Sequence, residues 1–134
     1  MKKIKLKKKK KSNKGLLRHL NDEYLLKAKL NGYRSRSAFK LIQINKKFNF
    51  FFKDANVIDL GAAPGGWSQV ANELVKPSGK ILSFDKLVIE PIDGIKFIDL
   101  DLYNIDEVER EVKKYFGKKV DIILSDMAPN TSGH

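Results

Sequence analysis

At 134 residues, 42% hydrophobic and 32% charged, the chain suits a single small domain able to bury a core. No apolar run approaches the roughly 20 residues that cross a bilayer, the Lys-rich start lacks the apolar stretch of a signal peptide, and the absence of cysteine rules out disulfide and thiolate chemistry. The expectation is therefore a cytoplasmic protein that engages no membrane and, with two His and no Cys, holds no metal.

The net charge of +11 is unevenly placed, and that shapes the reading of the chain from its start. Residues 1–53 carry fifteen Lys and three Arg against Asp22 and Glu23, a net +16, whereas 54–134 carry nine cations against fourteen acids, a net −5. A basic region beside a mildly acidic body points to a polyanion-binding surface next to a separate chemical site. The plainer alternative is a biased composition, since Lys, Ile, Asn and Phe are all abundant. Residues 1–14, with nine Lys, read as a disordered basic arm that adds affinity for nucleic acid without reading its sequence. Residues 15–53 read as a helical RNA-binding region. Within it, Leu20, Tyr24, Leu25 and Ala28 have helical spacing across 18–30, Asn31-Gly32 stops that helix, and Ser37 to about Lys47 forms a second. Phe48, Phe50, Phe51 and Phe52 are expected to cover one end of a sheet.

From residue 54 the pattern alternates between strand and helix. Strands are expected at 57–60, 80–84, 95–98 and 120–124, with helices at 67–75 and 105–116, the latter closed by Gly117. Single helices between strands imply a parallel sheet with helices on both faces. A doubly wound sheet normally has two such halves. The chain stops soon after the fourth strand, so the C-terminal strands are expected to be missing and 54–134 to be only the first half of the domain. That strand would then be an exposed edge, and stability marginal.

Three segments of the body carry chemistry. The first is Val57-Ile58-Asp59-Leu60-Gly61-Ala62-Ala63-Pro64-Gly65-Gly66-Trp67-Ser68, a strand, a Gly-rich turn and a helix start. Gly65 and Gly66 are expected to let the backbone approach a ligand, and Asp59 to orient the loop or accept from a cationic group. Ala63 replaces the second Gly of the dinucleotide fingerprint, and no Gly-Lys-Ser/Thr follows, so neither NAD nor a nucleoside triphosphate is indicated. An ordinary tight turn is the bland alternative. The second is Asp85, about twenty residues on, which suits the hydroxyls of an adenosine ribose or merely caps a turn; Asp99 or Asp101 after the third strand can approach the adenine amino group. The third is Ser125-Asp126-Met127-Ala128-Pro129-Asn130, which aims Asp126 into the same cleft.

A fourth motif lies upstream, in Gly32-Tyr33-Arg34-Ser35-Arg36-Ser37-Ala38-Phe39-Lys40-Leu41. Arg34 and Arg36 suit bidentate phosphate contacts, and Tyr33 or Phe39 can stack on a base. Lys40, flanked by Phe39 and Leu41, is a candidate general base if that setting desolvates it. Alone, it would more often be a surface lysine.

In order and spacing, these motifs resemble the FtsJ/RrmJ family, bacterial enzymes that methylate a ribose 2′-hydroxyl in large-subunit ribosomal RNA. The resemblance runs from about Leu16 to the last residue and leaves out the Lys arm. It implies a Rossmann-like α/β fold that binds S-adenosylmethionine through Gly65, Trp67, Asp85, Asp101 and Asp126. Of the family's catalytic Lys-Asp-Lys-Glu set, it places the first Lys on Lys40 and the Asp on Asp126. The second Lys, the proton acceptor, and the Glu have no counterpart here, so little or no turnover is expected from this chain. RNA contacts fall on Arg34, Arg36 and Lys40, and the expected partner of the monomer is 23S RNA or the 50S particle. Three alternatives stay open: an RNA- or ribosome-binding remnant without activity, a relative acting on tRNA or an mRNA cap, and an NAD-dependent enzyme.

Overall fold

The computed structural model describes Gly15, residues 23–117 and residues 119–126. The basic arm expected at 1–14, the beginning of the first expected helix and the segment from Met127 onward lie outside the described residues. What is described of that first helix, α1, covers 23–30, and the elements that follow are α2 (Ser37–Phe48), β1 (Asn56–Leu60), α3 (Gly66–Val75), β2 (Lys80–Asp85), β3 (Ile95–Asp99), α4 (Ile105–Phe116) and β4 (Ile122–Ser125). Apart from the start of α1, which lies outside the described residues, every expected element is present, with ends displaced by no more than two residues. No helix among the described residues is long and apolar enough to cross a membrane.

The sheet is wholly parallel, in the order β3-β2-β1-β4. Central β1 buries Val57, Ile58 and Asp59 in succession, which requires cover on both faces. Val57, Ile81 and Leu124 face α2 and α3 in one cluster that also holds Leu41, Phe51, Trp67, Val70 and Val75. Ile58, Leu82 and Phe84 pack with Phe116 of α4 in the other. Each such aliphatic side chain contributes about 1.5–3 kcal/mol through burial. The change from positive to negative charge near residue 53 is thus not a packing boundary, because α2 and Phe51 belong to the same core as the strands.

Two expectations are modified. Among the four phenylalanines, Phe51 is buried and Phe50 packs against the core, but Phe48 and Phe52 are 65% and 51% exposed. The chain leaves α2 through Asn49 in the left-handed conformation, and the neighbouring rings then point in different directions. The exposed-edge expectation for β4 holds for one face among the described residues: Leu124 is buried under the α2–α3 layer, whereas Ile123, beside Ile58, is 64% exposed. Helix α4 reaches β2 and β1 but does not cover β4.

Candidate active site

The loop leaving β1 is held from two sides. Gly61 and Ala62 N–H groups donate to the Phe84 carbonyl, and Ala63 N–H donates to Asp85 Oδ2 at 2.9 Å. Opposite, Arg34 donates through Nη1 to the carbonyls of Pro64 and Glu90 and through Nη2 to that of Pro91, at 3.2, 2.5 and 2.8 Å. Its backbone N–H meets Gln69 Oε1, and Tyr33 donates its hydroxyl proton to Glu73 of α3. Expected at an RNA phosphate, Arg34 is instead a clamp whose guanidinium spends three of its N–H bonds on backbone carbonyls.

The two glycines also serve the packing of the protein itself. Gly65 has φ +120°, a conformation costly for any residue with a Cβ. A Cβ there would stand 2.8 Å from Ile92 Cδ1, and one on Gly66 would stand 2.3 Å from Ser35 Oγ. The close approach expected of a ligand is thus made by Ser35, Arg34 and Ile92, and it seats the 34–35 segment against α3. Trp67 extends that seam: its ring lies in the core, and its indole N–H donates to the Ser37 carbonyl at 2.8 Å.

Behind the loop, Asp59 is almost fully buried, and its Oδ2 accepts from Ser68 Oγ, which also bonds Ser83 Oγ. Its Oδ1 has no partner among the described residues. Burial pushes this carboxyl up to about 6; the Ser68 bond opposes the shift, and the negative charges of Asp126 and Asp85 add to it. Asp59, Asp126, Gly61–Pro64, Gly66 and Trp67, with Ser35 and Ser37, line a cavity of about 50 Å3. A buried carboxylate oxygen without a donor costs free energy until a cation or donor reaches it. Sequence patterning placed Asp59 at a strand end and allowed it a cationic partner; its burial against Ser68 of α3 is a product of the fold.

At the other end of the loop, Asp85, Lys86, Asp101, Gly61, Leu102 and Tyr103 line a second cavity of about 190 Å3. Asp85 realises the turn-capping alternative, with Oδ1 on Leu87 N–H and Oδ2 on Ala63 N–H. Each oxygen keeps a second lone pair for a ligand. Asp101 accepts from Tyr103 N–H and faces this cavity, whereas Asp99, its alternative, does not line it. Tyr103, 89% exposed at the rim, was not singled out in the sequence, where nothing distinguishes it from a loop tyrosine.

Lys40 and Asp126, far apart in sequence, meet with Nζ and Oδ1 3.6 Å apart. The apolar setting expected for Lys40 does not form, since its side chain is 63% exposed. Successive residues on a helix point about a quarter-turn or more apart, so Leu41 enters the core while Phe39 packs on Tyr24 and Tyr33. Lys40 and Arg36 lie on a third cavity, of about 420 Å3, with Tyr24, Phe39, Gln43, Ser35 and Ser37. Ser35 and Ser37, bonded to each other through their hydroxyls, belong to this cavity and to the small one beside Asp59. The two spaces therefore meet at the serine pair and the Lys40–Asp126 ion pair, one side lined by carboxyls, the other by cations.

Comparison with known proteins gives this geometry a family. The family model described as FtsJ-like methyltransferase matches residues 33–134. Ribosomal RNA large subunit methyltransferase E of Rickettsia akari (strain Hartford) is 48% identical over 124 residues, 89% of this chain and 54% of that protein. The protein of the same name from Rickettsia typhi (strain ATCC VR-144 / Wilmington) is 48% identical over 128 residues, 92% of this chain and 56% of its own length. The chain thus spans about half the length of the curated relatives it matches. A Plasmodium falciparum crystal structure described as a ribosomal RNA methyltransferase superposes with a TM-score of 0.66 and 36% identity, covering 76% of this chain and 60% of that one.

Proposed function

We propose, starting from the fact that this chain belongs to the FtsJ-like methyltransferase family, that it brings S-adenosylmethionine together with a uridine ribose 2′-hydroxyl of large-subunit ribosomal RNA. The observation that carries the reading is the meeting of two unlike cavities at Lys40 and Asp126. The acidic side fits the donor: the orphaned Asp59 Oδ1 suits its ammonium, and Asp85 and Asp101 suit the ribose hydroxyls and adenine amino group. Gly65 and Trp67 act on that side by shaping the loop and seating α3. The basic side fits a phosphodiester chain, with Arg36 and Lys40 exposed. The donor supplies an already activated methyl group on a cationic sulfur, so the protein's task is alignment. Lys40 offers positive charge to a hydroxyl oxygen at the junction, and Asp126 holds Lys40 in place and accepts from that hydroxyl. We place the protein in the cytoplasm, as a monomer acting on 23S RNA within the 50S particle.

One observation favours a second reading, RNA binding without turnover. Neither junction cavity is lined, among the described residues, by a second lysine or by a glutamate, so of the family's catalytic set only Lys40 and Asp126 meet there. Incubating the chain with methyl-labelled S-adenosylmethionine and unmodified 50S particles separates the two. Label at a 2′-oxygen of 23S RNA supports the first reading; donor and RNA binding without label supports the second; absence of donor binding overturns the first.

A further inference from the structure

The cavity on the basic side has a volume of about 420 Å3. That volume is in the range of a small-molecule site, and its walls differ in chemistry. Tyr24 and Phe39 stand with ring centroids 6.5 Å apart and planes inclined by 38°. At that separation the rings already touch, so they form one aromatic wall and leave no slot between them. Lys27 Nζ lies over the Phe39 ring, 5.3 Å from its centre, and Tyr33 meets Phe39 edge-on, so that ring is held by neighbours on more than one side. Gln43, one helical turn from both Phe39 and Lys40, brings an exposed carboxamide to the same cavity. Arg36 and Lys40 complete it with positive charge.

An aromatic wall, a carboxamide and two cations surrounding one space match the parts of a nucleotide. The ring face stacks a base, the amide bonds its edge and the cations take the flanking phosphates. A folded peptide would need no such concentration of positive charge, and a lipid surface would need a flat apolar patch. We propose that this cavity is a nucleobase pocket, in which one unstacked base of the RNA lies against Tyr24 and Phe39 with its edge on Gln43. Its shared wall at Ser35 and Ser37 puts that base within about a nucleotide of the ribose at Lys40 and Asp126. The pocket would therefore select an RNA whose base is splayed out beside the target and reject the same strand stacked in a helix. This inference rests on the RNA-methyltransferase reading, and it adds the element that chooses RNA conformation.

The test compares a heptamer of uridines with a heptamer of abasic ribose phosphates of equal charge, titrated against the full 134-residue chain with S-adenosylmethionine present. The uridine heptamer should bind roughly tenfold more tightly, the contribution expected of one stacked base. Tyr24→Ala should abolish that difference while leaving abasic binding unchanged, and Gln43→Ala, at an exposed position that cannot endanger folding, should reduce it severalfold. Arg36→Ala should weaken both strands alike. Equal affinity of the two heptamers for the unaltered chain overturns the proposal. So does a Tyr24→Ala or Gln43→Ala effect of the same size on both strands, or a complete lack of RNA binding. Calorimetric titration of S-adenosylmethionine into the same sample keeps the underlying reading separate: donor binding with base-indifferent RNA binding defeats the pocket alone, and loss of donor binding defeats the methyltransferase reading.

Discussion

The two sides of the Lys40–Asp126 junction are built by opposite means. On the acidic side, Asp59, Ser68 and Ser83 are buried, and the 61–66 loop is bonded to β2 behind it and to Arg34 in front. On the basic side, Arg36 just before α2 and Lys40 and Gln43 on it stand in solvent, and Lys40 is paired with Asp126 at 3.6 Å. The difference suits the proposed ligands. A small donor must be fixed to a fraction of an ångström before a methyl group can move, so its site is set before it arrives. A polyanion is attracted at longer range and tolerates mobile cations. If so, substitutions on the first side should act on stability and donor binding together, and those on the second on RNA affinity alone.

The strongest challenge to that division is Gly65→Ala. It forces a Cβ onto φ +120° and against Ile92 and Arg34, and should cost about 3 kcal/mol in urea unfolding while abolishing donor binding. An unchanged midpoint would mean that the loop is not held as tightly as its contacts indicate.

Asp59→Asn tests the same side with the opposite sign. Because the Asp59 carboxyl is pushed up to about 6 from 3.8, the folded protein binds the proton better than the unfolded chain between those values. Stability should therefore fall as pH rises through roughly 4 to 6 and stay flat above, a total on the order of 3 kcal/mol. The variant should remove this slope and unfold at higher urea at pH 7, yet bind S-adenosylmethionine at least tenfold more weakly. The unaltered chain should also lose donor affinity as pH falls below about 6, when Asp59 is neutralised. A variant that is both less stable and normal in donor binding would show that the orphaned oxygen has no part in the site.

Arg34→Ala should cost about 2 kcal/mol through its lost charge-assisted bonds, a fall in melting temperature of several degrees. Arg34→Lys should recover little, since a single ammonium cannot span the carbonyls of Pro64, Glu90 and Pro91. At the small end, Lys40→Ala should shift stability by less than about 0.5 kcal/mol, because the pair with Asp126 is long and exposed. It should still lower the slope of RNA affinity against salt by about one unit. A large stability loss at Lys40 would erase the contrast between the two sides.

Much of this was legible before folding. Runs such as Val57-Ile58 and Lys80–Asp85 announce buried parallel strands because both their faces must be covered, and α4 declares itself by Ile105, Val108, Val112 and Phe116 at helical spacing. Strand-end positions for Asp59, Asp85 and Asp126 follow directly, since a parallel sheet gathers its carboxyl ends at one edge. The roles of Arg34 and Lys40 were not legible in the same way. Both sit in a basic, aromatic-rich stretch that reads as an RNA contact, yet Arg34 turns inward to three carbonyls and Lys40 outward to solvent. Which way each points depends on how α2 is rotated on α3, through Trp67 to Ser37 and Gly66 against Ser35.

By itself, then, the sequence determined the parallel α/β frame, the order of its motifs and the set of acids that reaches one edge, because hydrophobic period and turn chemistry are local. Only the tertiary structure decided that Asp59 is the orphaned carboxylate, that Arg34 is a clamp, and that two cavities join at Lys40 and Asp126. Burial and cavity shape arise from distant segments packed together, and no window of the chain contains both walls.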